Sequence, residues 1–388
     1  MTKGYKIRIY PNKAQEELIK KHIDACRFMW NYMLNEQHNA YEETGKRLSR
    51  FDMIYKLKPM KQDEKYKWLN DVSNSSLVRT CTDLDKAYQF YFKRINKGLP
   101  KHRSARDKKR SYPVCTEKFY ISGKKAYVQK VGFIRYKTDF DLPEGRDVKF
   151  IDVRITAETD GRYMLSFCLA YDNQIRELND YSMGIDLGIK ELAVVAYGDE
   201  QLVFHNINKS RQIRKIKEKI RHTQRGISRK HEASKKRNGK YTKTKNIMRE
   251  ETKLRKLHRR IVGIRNNYNH QSTARLVSLL PSRVVMEDLN VIGMMKNRHL
   301  SRAVSEQCLY DFMMKMKYKC EWNGIEFVIA DRYYPSSKTC SCCGSVKKDL
   351  KLSDRTYRCE ACGLVIDRDY NAAINLMRYE AQFTRASA

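Results

Sequence analysis

The alternation of apolar and polar side chains predicts a short strand at the start of the chain and a long helix after it. The strand places Tyr5, Ile7 and Ile9 on one face, as a half-buried strand does. Asn12 and Gln15 form a capping box, the pattern that opens a helix. Side chains suited to a helix core then recur at helical spacing, at Leu18, His22, Ala25, Cys26, Met29 and Met33.

Helical periodicity continues to about residue 98 and then changes to a β-rich stretch. The predicted core of the helical segments consists of Trp68, Leu77, Leu84, Tyr88 and Tyr91. In the β-rich stretch, the turns Gly123-Lys124 and Asp160-Gly161 each separate two runs of strand-forming residues, which predicts two hairpins. We expect these strands to pair with the first strand, so that the helical segments form an insertion.

The second half of the chain alternates between apolar strands and helices. Residues 183–206 contain three strand candidates, MGIDLG, ELAVVAY and QLVFHN. An intermittent apolar stripe then predicts long, thin helices that carry Ile213, Ile216, Ile220, Leu254, Leu257 and Ile261. The remaining predicted elements are strands at residues 283–289 and 327–331 and helices at about residues 302–321 and from about residue 370.

The charge of the chain indicates a polyanionic partner. Its 388 residues include 79 Lys and Arg against 45 Asp and Glu, which gives a formal net charge of +34. A polyanion would relieve the resulting self-repulsion, and each neutralised phosphate releases counterions. The 25 Tyr and 13 Phe add faces on which unpaired bases can stack. Nucleic acid is therefore favoured over the alternatives, a membrane surface or a ribosomal-type protein.

The basic residues are densest at residues 209–260, where 22 Lys and Arg accompany 4 Glu and no Asp. This excess is greater than solubility requires and favours a nucleic-acid groove, although a solvated helical hairpin would carry the same pattern. The basic segment at residues 97–112 extends the argument to the helices before it, which could otherwise form an ordinary bundle.

The chain has no stretch that approaches the roughly 18 apolar residues of a membrane span, and its first residues lack the apolar core of a signal peptide. We therefore expect an intracellular protein in a reducing compartment. The 11 Cys are then poor candidates for disulfides, and five of them fall within residues 340–362, which indicates a metal site.

Four of these cysteines have the spacing of a structural zinc site. Two Cys-x2-Cys pairs are separated by 15 residues, and each is followed by a glycine that permits a tight turn, at Gly344 and Gly363. The glycines fix the register and leave Cys342 outside the site. The predicted ligands are Cys340, Cys343, Cys359 and Cys362. Four thiolates fill a tetrahedron, so the single zinc would be structural, and clustered free thiols are the alternative.

Three carboxylates lie in or beside apolar segments, where an unpaired charge is costly. Asp186 lies within the MGIDLG strand, Glu287 ends the VVMEDL strand, and Asp369 precedes the last predicted helix. Converging carboxylates suit Mg²⁺, and two such ions can activate water and stabilise the leaving oxygen of a phosphodiester. Spacing alone does not make them converge, because Asp186 could be a turn residue and Glu287 a salt-bridge partner. Further candidates of the same kind are Asp288, Asp331 and Asp367.

Several motifs together resemble the TnpB family, the transposon-encoded relatives of the type V CRISPR effectors. The motifs are YKIRIYPNKAQEELI, GIDLGIKELAVVAYG, VVMEDLNVIGM, YYPSSKTCSCCG and YRCEACGLVIDRDYNAAINL. The resemblance covers nearly the whole chain and is most specific in its C-terminal half. It implies an α+β multidomain protein with a RuvC-like nuclease domain of RNase H fold. A zinc-ribbon insertion and a preceding β-barrel-like wedge domain with a helical recognition insertion complete the implied architecture.

The resemblance also implies which residues act. The acid of the G-I-D-x-G motif is Asp186, and the acid of the E-D-L strand end is Glu287. The acid of the D-x-N-A-A motif is Asp369, in preference to Asp367. These three would be the catalytic residues and the ligands of two Mg²⁺ ions. The zinc module of the family lies between the second and third acids, which agrees with the four cysteines.

The implied domains follow the predicted elements. They are a wedge-like β domain of residues 1–12 and 110–180, a helical recognition domain of residues 13–109, a nuclease domain of residues 181–337 and 364–388 with a basic helical insertion at residues 209–262, and a zinc-binding module of residues 338–363.

Members of the family bind a guide RNA derived from the transposon end, recognise a short target-adjacent motif and cut both strands of the paired DNA. The resemblance therefore implies an RNA-guided double-stranded DNA endonuclease, cytoplasmic and nucleoid-associated in a prokaryote. It implies no membrane partner, and a monomer is the simplest oligomeric state. The alternatives are a DNA-integrating transposase, an RNA-guided DNA-binding regulator that does not cleave, and a miniature type V CRISPR effector.

Overall fold

The first predicted strand is present in the computed structural model of the chain, which describes residues 2–96, 98–106, 110–170, 176–351 and 354–380. This strand, β1, runs over Thr2–Tyr10 and buries Ile7 and Ile9. The chain divides into two units, Met1–Asp172 and Asn173–Ala388.

The first unit contains the predicted capping box. The Asn12 side chain accepts a hydrogen bond from the backbone N–H of Gln15, and the Gln15 side chain accepts one from the backbone N–H of Asn12. The helices of the unit are α1 Lys13–Thr44, α2 Arg50–Tyr55, α3 Leu57–Gln62 and α4 Asn74–Phe92, with a 3-10 helix at Glu64–Asp71. Its other strands are β2 Arg110–Pro113, β3 Tyr120–Ser122, β4 Lys125–Val128, β5 Gly132–Lys137, β6 Phe150–Ala157 and β7 Tyr163–Ala170.

One seven-stranded sheet organises the first unit, in the order β2-β6-β7-β1-β5-β4-β3. The central strand β1 pairs antiparallel with β7 and β5, which come after all the helices of the unit. The helices are therefore an insertion between strands of one sheet, as the sequence predicts. Closure into a barrel would require the edge strands β2 and β3 to pair. The described residues form no such ladder, and the barrel-like form stays a prediction.

The core of the inserted helices differs from the prediction at two aromatic residues. Tyr91 is half-buried and is not among the buried core residues. Trp68, also a predicted core residue, is 42% exposed. It lies in the 3-10 helix Glu64–Asp71, where Leu69 fills the core instead and Trp68 meets Phe28 edge-on at a ring distance of 5.3 Å. The prediction is wrong because the segment follows the tighter 3-10 spacing, which turns a different side chain inward.

The second unit is built from a larger sheet and the helices around it. Its strands are β8 Asn179–Leu187, β9 Glu191–Tyr197, β10 Glu200–His205, β11 Pro281–Glu287, β12 Glu326–Ala330, β13 Thr356–Arg358 and β14 Val365–Asp367. Its helices are α5 Arg211–Asn238, α6 Lys245–Ser278, α7 Val291–Lys296, α8 Ser301–Gln307, α9 Leu309–Asn323 and α10 Arg368–Met377, with a 3-10 helix at Ile207–Lys209.

The main sheet of the second unit has the order β10-β9-β8-β11-β12, and β13 pairs with β14 separately. Strands β8, β9 and β10 are antiparallel, whereas β11 runs parallel to both β8 and β12. One face of the sheet, which includes Ile185 and Met286, packs against apolar residues of α6 and α9. The other face, which includes Val194 and Val285, packs against α10. Because both faces are covered, β11 is apolar along most of its length.

Two helices of the second unit have other limits than the sequence predicts. The single helix expected at about residues 302–321 is two helices, α8 and α9, because Cys308 adopts a φ of +57° between them. The last helix, expected from about residue 370, begins at Arg368 because Asp367 caps it. Asp369 therefore lies in the first turn of α10 and not before it.

The basic helices α5 and α6 pack through the predicted apolar stripe. The buried cluster between them contains Ile216, Ile220 and Ile261 together with Leu254, Leu257 and Ile264. Crossing a bilayer demands more length and apolar character than any helix among the described residues has.

Candidate active site and metal centre

Two of the predicted acidic residues lie side by side at the ends of neighbouring parallel strands. The register of β8 and β11 pairs Ile185 with Met286, so the next step along both strands brings Asp186 beside Glu287. Neighbouring strands are about 4.8 Å apart, and residues in register project from the same face. Both side chains are half-buried.

Helix α10 crosses the face of the sheet from which Asp186 projects. Gly184 lies two residues before Asp186 on the same strand and faces the same way. A Cβ atom at Gly184 would lie 2.0 Å from the carbonyl oxygen of Ala373 and 2.3 Å from the backbone nitrogen of Met377. Glycine at this position therefore lets α10 lie directly on β8.

Asp369 approaches the same region from the first turn of α10. Its Oδ1 accepts hydrogen bonds from Nε and Nη2 of Arg368, at 3.1 and 2.8 Å. Nη1 of Arg355 lies 3.8 Å from its Oδ2. The third predicted acid is thus held by arginine side chains.

The carboxylates of this region influence one another electrostatically. Burial raises the pKa of Asp186 well above its ordinary value, and the charges of Asp369 and Glu287 raise it further, while Arg368 lowers it. Burial also raises the pKa of Glu287, with a further contribution from the charge of Asp288. Within the part of the chain that the structure describes, the carboxylate of neither Asp186 nor Glu287 forms a hydrogen bond or an ion pair.

The other acidic candidates from the sequence have partners inside the protein. Asp367 caps α10 by accepting hydrogen bonds from two backbone N–H groups, at 2.9 and 3.1 Å. Asp288 forms an ion pair with Arg332 at 2.6 Å. Asp331 accepts a hydrogen bond from the hydroxyl of Tyr379 at 2.7 Å. These contacts give each of the three residues a structural role.

The three predicted magnesium ligands do not form a closed ligand shell. Among the described residues, only the four-cysteine group has three or more His, Cys, Asp or Glu side chains whose ligand atoms all lie within 4.8 Å of one another. The geometry therefore brings Asp186 and Glu287 together and places Asp369 near them, with Arg368 as the immediate partner of Asp369.

The four predicted zinc ligands do converge. All four Sγ atoms lie within 4.8 Å of one another, with 3.6 Å between Cys340 and Cys362 and 3.6 Å between Cys343 and Cys359. Zinc–sulfur bonds of about 2.3 Å in a tetrahedron place sulfur atoms roughly 3.8 Å apart, so these separations fit one ion. Cys342 is exposed and lies outside the group, as the glycine register predicts.

Two turns of the same form shape the cysteine site. The backbone N–H of Gly344 donates to the carbonyl of Cys340 at 2.9 Å, and that of Gly363 donates to the carbonyl of Cys359 at 3.1 Å. Both glycines have a φ of +75°, in the left-handed region that other residues rarely adopt. A hydrogen bond from the backbone N–H of Cys362 is the main reason why the pKa of Cys359 falls to about 6. Cys359 therefore favours the thiolate form that metals bind.

Two asparagines of α10 hold the segment that leads into the cysteine site. Asn371 is fully buried, and its Nδ2 donates to the carbonyl of Thr339 at 2.7 Å while its Oδ1 accepts from the backbone N–H of Ser341 at 2.9 Å. Asn375 donates to the same Thr339 carbonyl at 2.7 Å. The helix that carries Asp369 therefore also fixes the position of the cysteine site.

Sequence reasoning missed a residue that supports the loop after Asp186. Gln307 ends α8, and its Nε2 donates to the carbonyl oxygens of Gly188 at 3.1 Å and Glu191 at 3.3 Å. Its partners are backbone atoms far away in sequence, so the residue type alone gave no signal. The arginines beside Asp369 were missed as well, because the chain has many basic residues and nothing singles these out.

Three family models match the chain. A model described as "Probable transposase", of the IS605 OrfB type, matches residues 166–298. A "Helix-turn-helix domain" of the same type matches residues 1–46, which fold here as β1 and α1. A "Cas12f1-like, TNB domain" matches residues 310–376. The matched segments include the three predicted acids and the four cysteines.

Two curated relatives match nearly the full length of this chain, and a third matches part of it. A protein of Streptomyces pristinaespiralis, named as a candidate RNA-guided DNA endonuclease, is 27% identical over 378 residues, which are 97% of this chain and 89% of that protein. A protein of Escherichia coli (strain K12) with the same kind of name is 26% identical over 393 residues, 96% of this chain and 91% of that protein. A CRISPR-associated endodeoxyribonuclease Cas12f1 of Sulfoacidibacillus thermotolerans is 30% identical over 127 residues, 32% of this chain and 29% of that protein.

Solved structures show distant similarity. A complex of Cas12f1 with sgRNA and target DNA aligns over 97% of this chain and 99% of its own, with 14% identity and a TM-score of 0.38. The mini-RNA-guided endonuclease CRISPR-Cas_phi3 aligns over 97% of this chain and 92% of its own, with 10% identity and a TM-score of 0.42.

Proposed function

We propose that this chain, which carries the domains of the TnpB (IS605 OrfB) family, is an RNA-guided endonuclease that cuts double-stranded DNA. The observation that carries the proposal is the in-register pair Asp186 and Glu287, at the face of the sheet where α10 brings in Asp369. Relatives that span nearly the whole chain are named as candidate RNA-guided DNA endonucleases, which supports the same activity here.

The strand order of the second unit supports a RuvC-like nuclease domain of RNase H fold. Three antiparallel strands are followed by two parallel ones, in the order β10-β9-β8-β11-β12. The first two proposed acids are on the two central parallel strands, β8 and β11, and the third is on the helix that crosses them. Acids from distant parts of the sequence can then act on one phosphodiester.

The proposed catalytic residues Asp186, Glu287 and Asp369 fit a pair of Mg²⁺ ions by their chemistry. Two of them are half-buried carboxylates without a partner among the described residues, and the charges of Asp369 and Glu287 add to the cost of ionising Asp186. A divalent cation with oxygen ligands would remove that cost. Magnesium held there would supply an activated water and stabilise the leaving oxygen of the phosphodiester.

Arg368 has a proposed part in the same site. It holds Asp369 by a charge-assisted pair at 2.8 Å, and we propose that Asp369 gives up this contact when it becomes a metal ligand. The guanidinium that it releases can then pair with a phosphate of the DNA strand, since planar guanidinium groups bind phosphate well. The exchange would link metal binding to the arrival of the substrate.

The remaining proposed partners follow from charge and from the cysteine geometry. One structural zinc ion is proposed for the four cysteines, which leave no open coordination position. The guide RNA and its paired DNA strand are proposed to lie along basic surfaces such as α5 and α6. The protein would read backbone shape and a short target-adjacent motif, while base pairing would read the sequence.

The decisive experiment isolates the full chain with its copurifying RNA, sequences that RNA, and supplies Mg²⁺ and double-stranded DNA with randomised flanks. We expect one defined RNA species and cleavage beside a fixed motif. D186N and E287Q should abolish cleavage and keep the RNA, whereas the matched controls D288N and D331N should still cut. Cleavage by D186N at the normal rate would refute the assigned site, and a protein without a defined RNA would refute the guided mechanism.

A second candidate function is DNA integration, because the model that matches residues 166–298 is described as a transposase. Both activities use carboxylates and metal ions, so RNA is the difference between them. A transposase should join DNA ends after ribonuclease treatment, whereas the proposed nuclease should lose all activity on target DNA.

A further inference from the structure

One end of the sheet in the first unit carries aromatic and basic side chains on its outward face. Alternate residues of β3, β4 and β5 are buried in the core, at Ile121, Ala126, Val128 and Ile134. The residues between them project from the opposite face, since successive side chains in a strand alternate. We call this the aromatic–basic face, and it is formed by Tyr120, Lys125, Tyr127, Phe133 and Arg135.

The aromatic residues of this face form a row across three strands. The register pairs Tyr120 with Tyr127 and Tyr127 with Phe133. The rings of Tyr120 and Tyr127 stack at 4.9 Å, and Phe133 meets Tyr127 edge-on at 5.2 Å. Phe133 is 46% exposed, and the guanidinium of Arg146 lies 5.1 Å from the centre of the Tyr120 ring. The row is thus open to solvent at the Phe133 end.

A basic row lies beside the aromatic row, two residues away along each strand. Lys125 is opposite Arg135, and Arg135 is opposite Tyr10 of β1. Lys137 is opposite Arg8, so the positive charge continues across the next strand. A cleft of about 600 Å³ opens here, and its lining includes Phe133, Lys125 and Arg135.

The cations of the basic row are not used in ion pairs within the fold. In the described part of the chain, Lys125, Arg135 and Lys137 form no ion pair. An aromatic row that served only to stabilise the hairpins would not require this adjacent line of unpaired charge. Exposed aromatic rings beside unpaired cations are the combination that binds unpaired nucleotides, with bases on the rings and phosphates on the cations.

We propose that the aromatic–basic face binds an unpaired segment of RNA. Bases would stack on the exposed ring of Phe133 and on Tyr127, and the backbone would follow Lys125 and Arg135. RNA is the chosen occupant because the phenol groups of Tyr120 and Tyr127 lie on the same face, where they can bond a ribose 2′-hydroxyl. The site rests on the proposed function in one respect, namely that the RNA is the guide.

The test measures RNA binding directly and separately from DNA cleavage. The full chain is freed of nucleic acid at high salt and kept in EDTA, and its affinity for fluorescent rU12 is compared with that for dT12 and for a 12-base-pair RNA duplex. The double variant Y127L/F133L should bind rU12 at least tenfold more weakly, since each stacked base contributes a similar factor. The matched control F133Y keeps both rings and the Tyr127 hydroxyl and should bind within about threefold of the unchanged protein.

The basic row is tested by the salt dependence of the same binding. The variant K125Q/R135Q should reduce the slope of log affinity against log salt by about 1.4, because two phosphate contacts to a single strand are lost. Ultraviolet cross-linking of rU12 should label the peptide that spans residues 118–137. An unchanged slope, or labelling elsewhere only, would contradict the assigned face.

Several results would overturn the proposal. Equal affinity of Y127L/F133L and the unchanged protein for rU12, with a lower Tm for the variant, would assign the row to strand stability alone. Equally tight binding of dT12, lost in the same variant, would overturn the choice of RNA. The proposed nuclease activity is tested separately. It is refuted if the guide-loaded chain does not cut DNA, whereas the proposed RNA-binding face is refuted if rU12 binding survives loss of the rings.

Discussion

Asp186 and Asp367 show how two aspartates in similar sequence contexts differ once their partners are known. Asp367 accepts two backbone N–H groups and thereby fixes the first turn of α10. Asp186 is half-buried, and its carboxylate forms no hydrogen bond or ion pair among the described residues. A carboxylate that the fold leaves unsatisfied costs stability, and natural proteins retain such residues where chemistry requires them.

The first residue-scale prediction concerns the metal-free stability of D186N. Because the folded-state pKa of Asp186 is raised, the folded chain binds more protons than the unfolded chain between the ordinary value near 3.8 and the folded value. Stability therefore falls as pH rises through that window. We expect D186N to raise Tm in EDTA at pH 7 by about 2–4 °C, or about 1 kcal/mol. D331N is the control, and a Tm lowered by D186N would contradict the assigned environment.

His22 provides a second residue-scale prediction, for the first unit. Its Nδ1–H donates to the carbonyl of Leu18 at 2.8 Å, and its Nε2 accepts from the backbone N–H of Ser73 at 3.1 Å. Burial lowers the pKa of His22 from its ordinary value of 6.5, so the unfolded chain takes up the proton first as pH falls. Stability is therefore full above pH 6.5 and is lost as pH falls below it. Hydrogen exchange in α1 at pH 7.5 and pH 5.5 measures the loss.

The variant H22Q should reduce that pH dependence, because it removes the titrating group. The exposed His38 on the same helix is the matched control, and H38Q should leave the pH dependence as it is. The same slope in H22Q and in the unchanged protein would show that another group is responsible.

At the scale of elements, the packing of α10 on β8 decides where Asp369 lies. A Cβ atom at Gly184 would lie 2.0 Å from a carbonyl oxygen of α10, and backbone atoms cannot move aside as a flexible side chain can. We expect G184A to lower the free energy of unfolding by about 3 kcal/mol and to lower cleavage even when folded. G226A is the control, since its Cβ meets open space within α5, and it should raise stability by about 0.5–1 kcal/mol. Chemical denaturation checks both, and an unaffected G184A would show that α10 is not seated there.

The cysteine site gives a second prediction at the element scale. C343S should bind less zinc than the unchanged chain, which we expect to hold about one ion per molecule, since one ligand of four is lost. C342S alters a neighbouring, exposed thiol and should keep the full zinc content. Metal analysis by mass spectrometry measures both. Because Asn371 ties α10 to this site, C343S should also increase hydrogen exchange at the start of α10.

For the whole molecule, the net charge of +34 predicts how its binding responds to salt. Each neutralised phosphate releases counterions, so affinity for a long RNA should fall by about 10³-fold or more between 50 and 200 mM salt. Filter binding across that range measures it. A shallow dependence would mean that the charge serves mainly to keep the chain soluble and not to bind nucleic acid.

The sequence predicts those features of the fold and the site that depend on short-range patterns of residues. The capping box at Asn12, the hairpin turns and the cysteine register are short-range patterns, and all are present as predicted. The partners of Asp369 and the role of Gln307 depend on residues brought together by the sheet, so no local pattern revealed them. The break at Cys308 was missed for the same reason, since it follows from the tertiary contacts around it. The catalytic assignment itself rests on family resemblance as well as on geometry.

The central position of β1 in its sheet has a consequence for how the chain is made. β1 ends at Tyr10, and the first of its two partner strands, β5, begins at Gly132, so β1 leaves the ribosome long before either partner is made. At about 5–20 residues per second, that interval is roughly 6–25 seconds, during which the half-buried strand has no permanent neighbour. The helices α1 to α4 can form in the meantime, because their contacts are local. A bulky protein fused before β1 should therefore slow the folding of this unit, whereas the same protein fused after β7 in the chain should not.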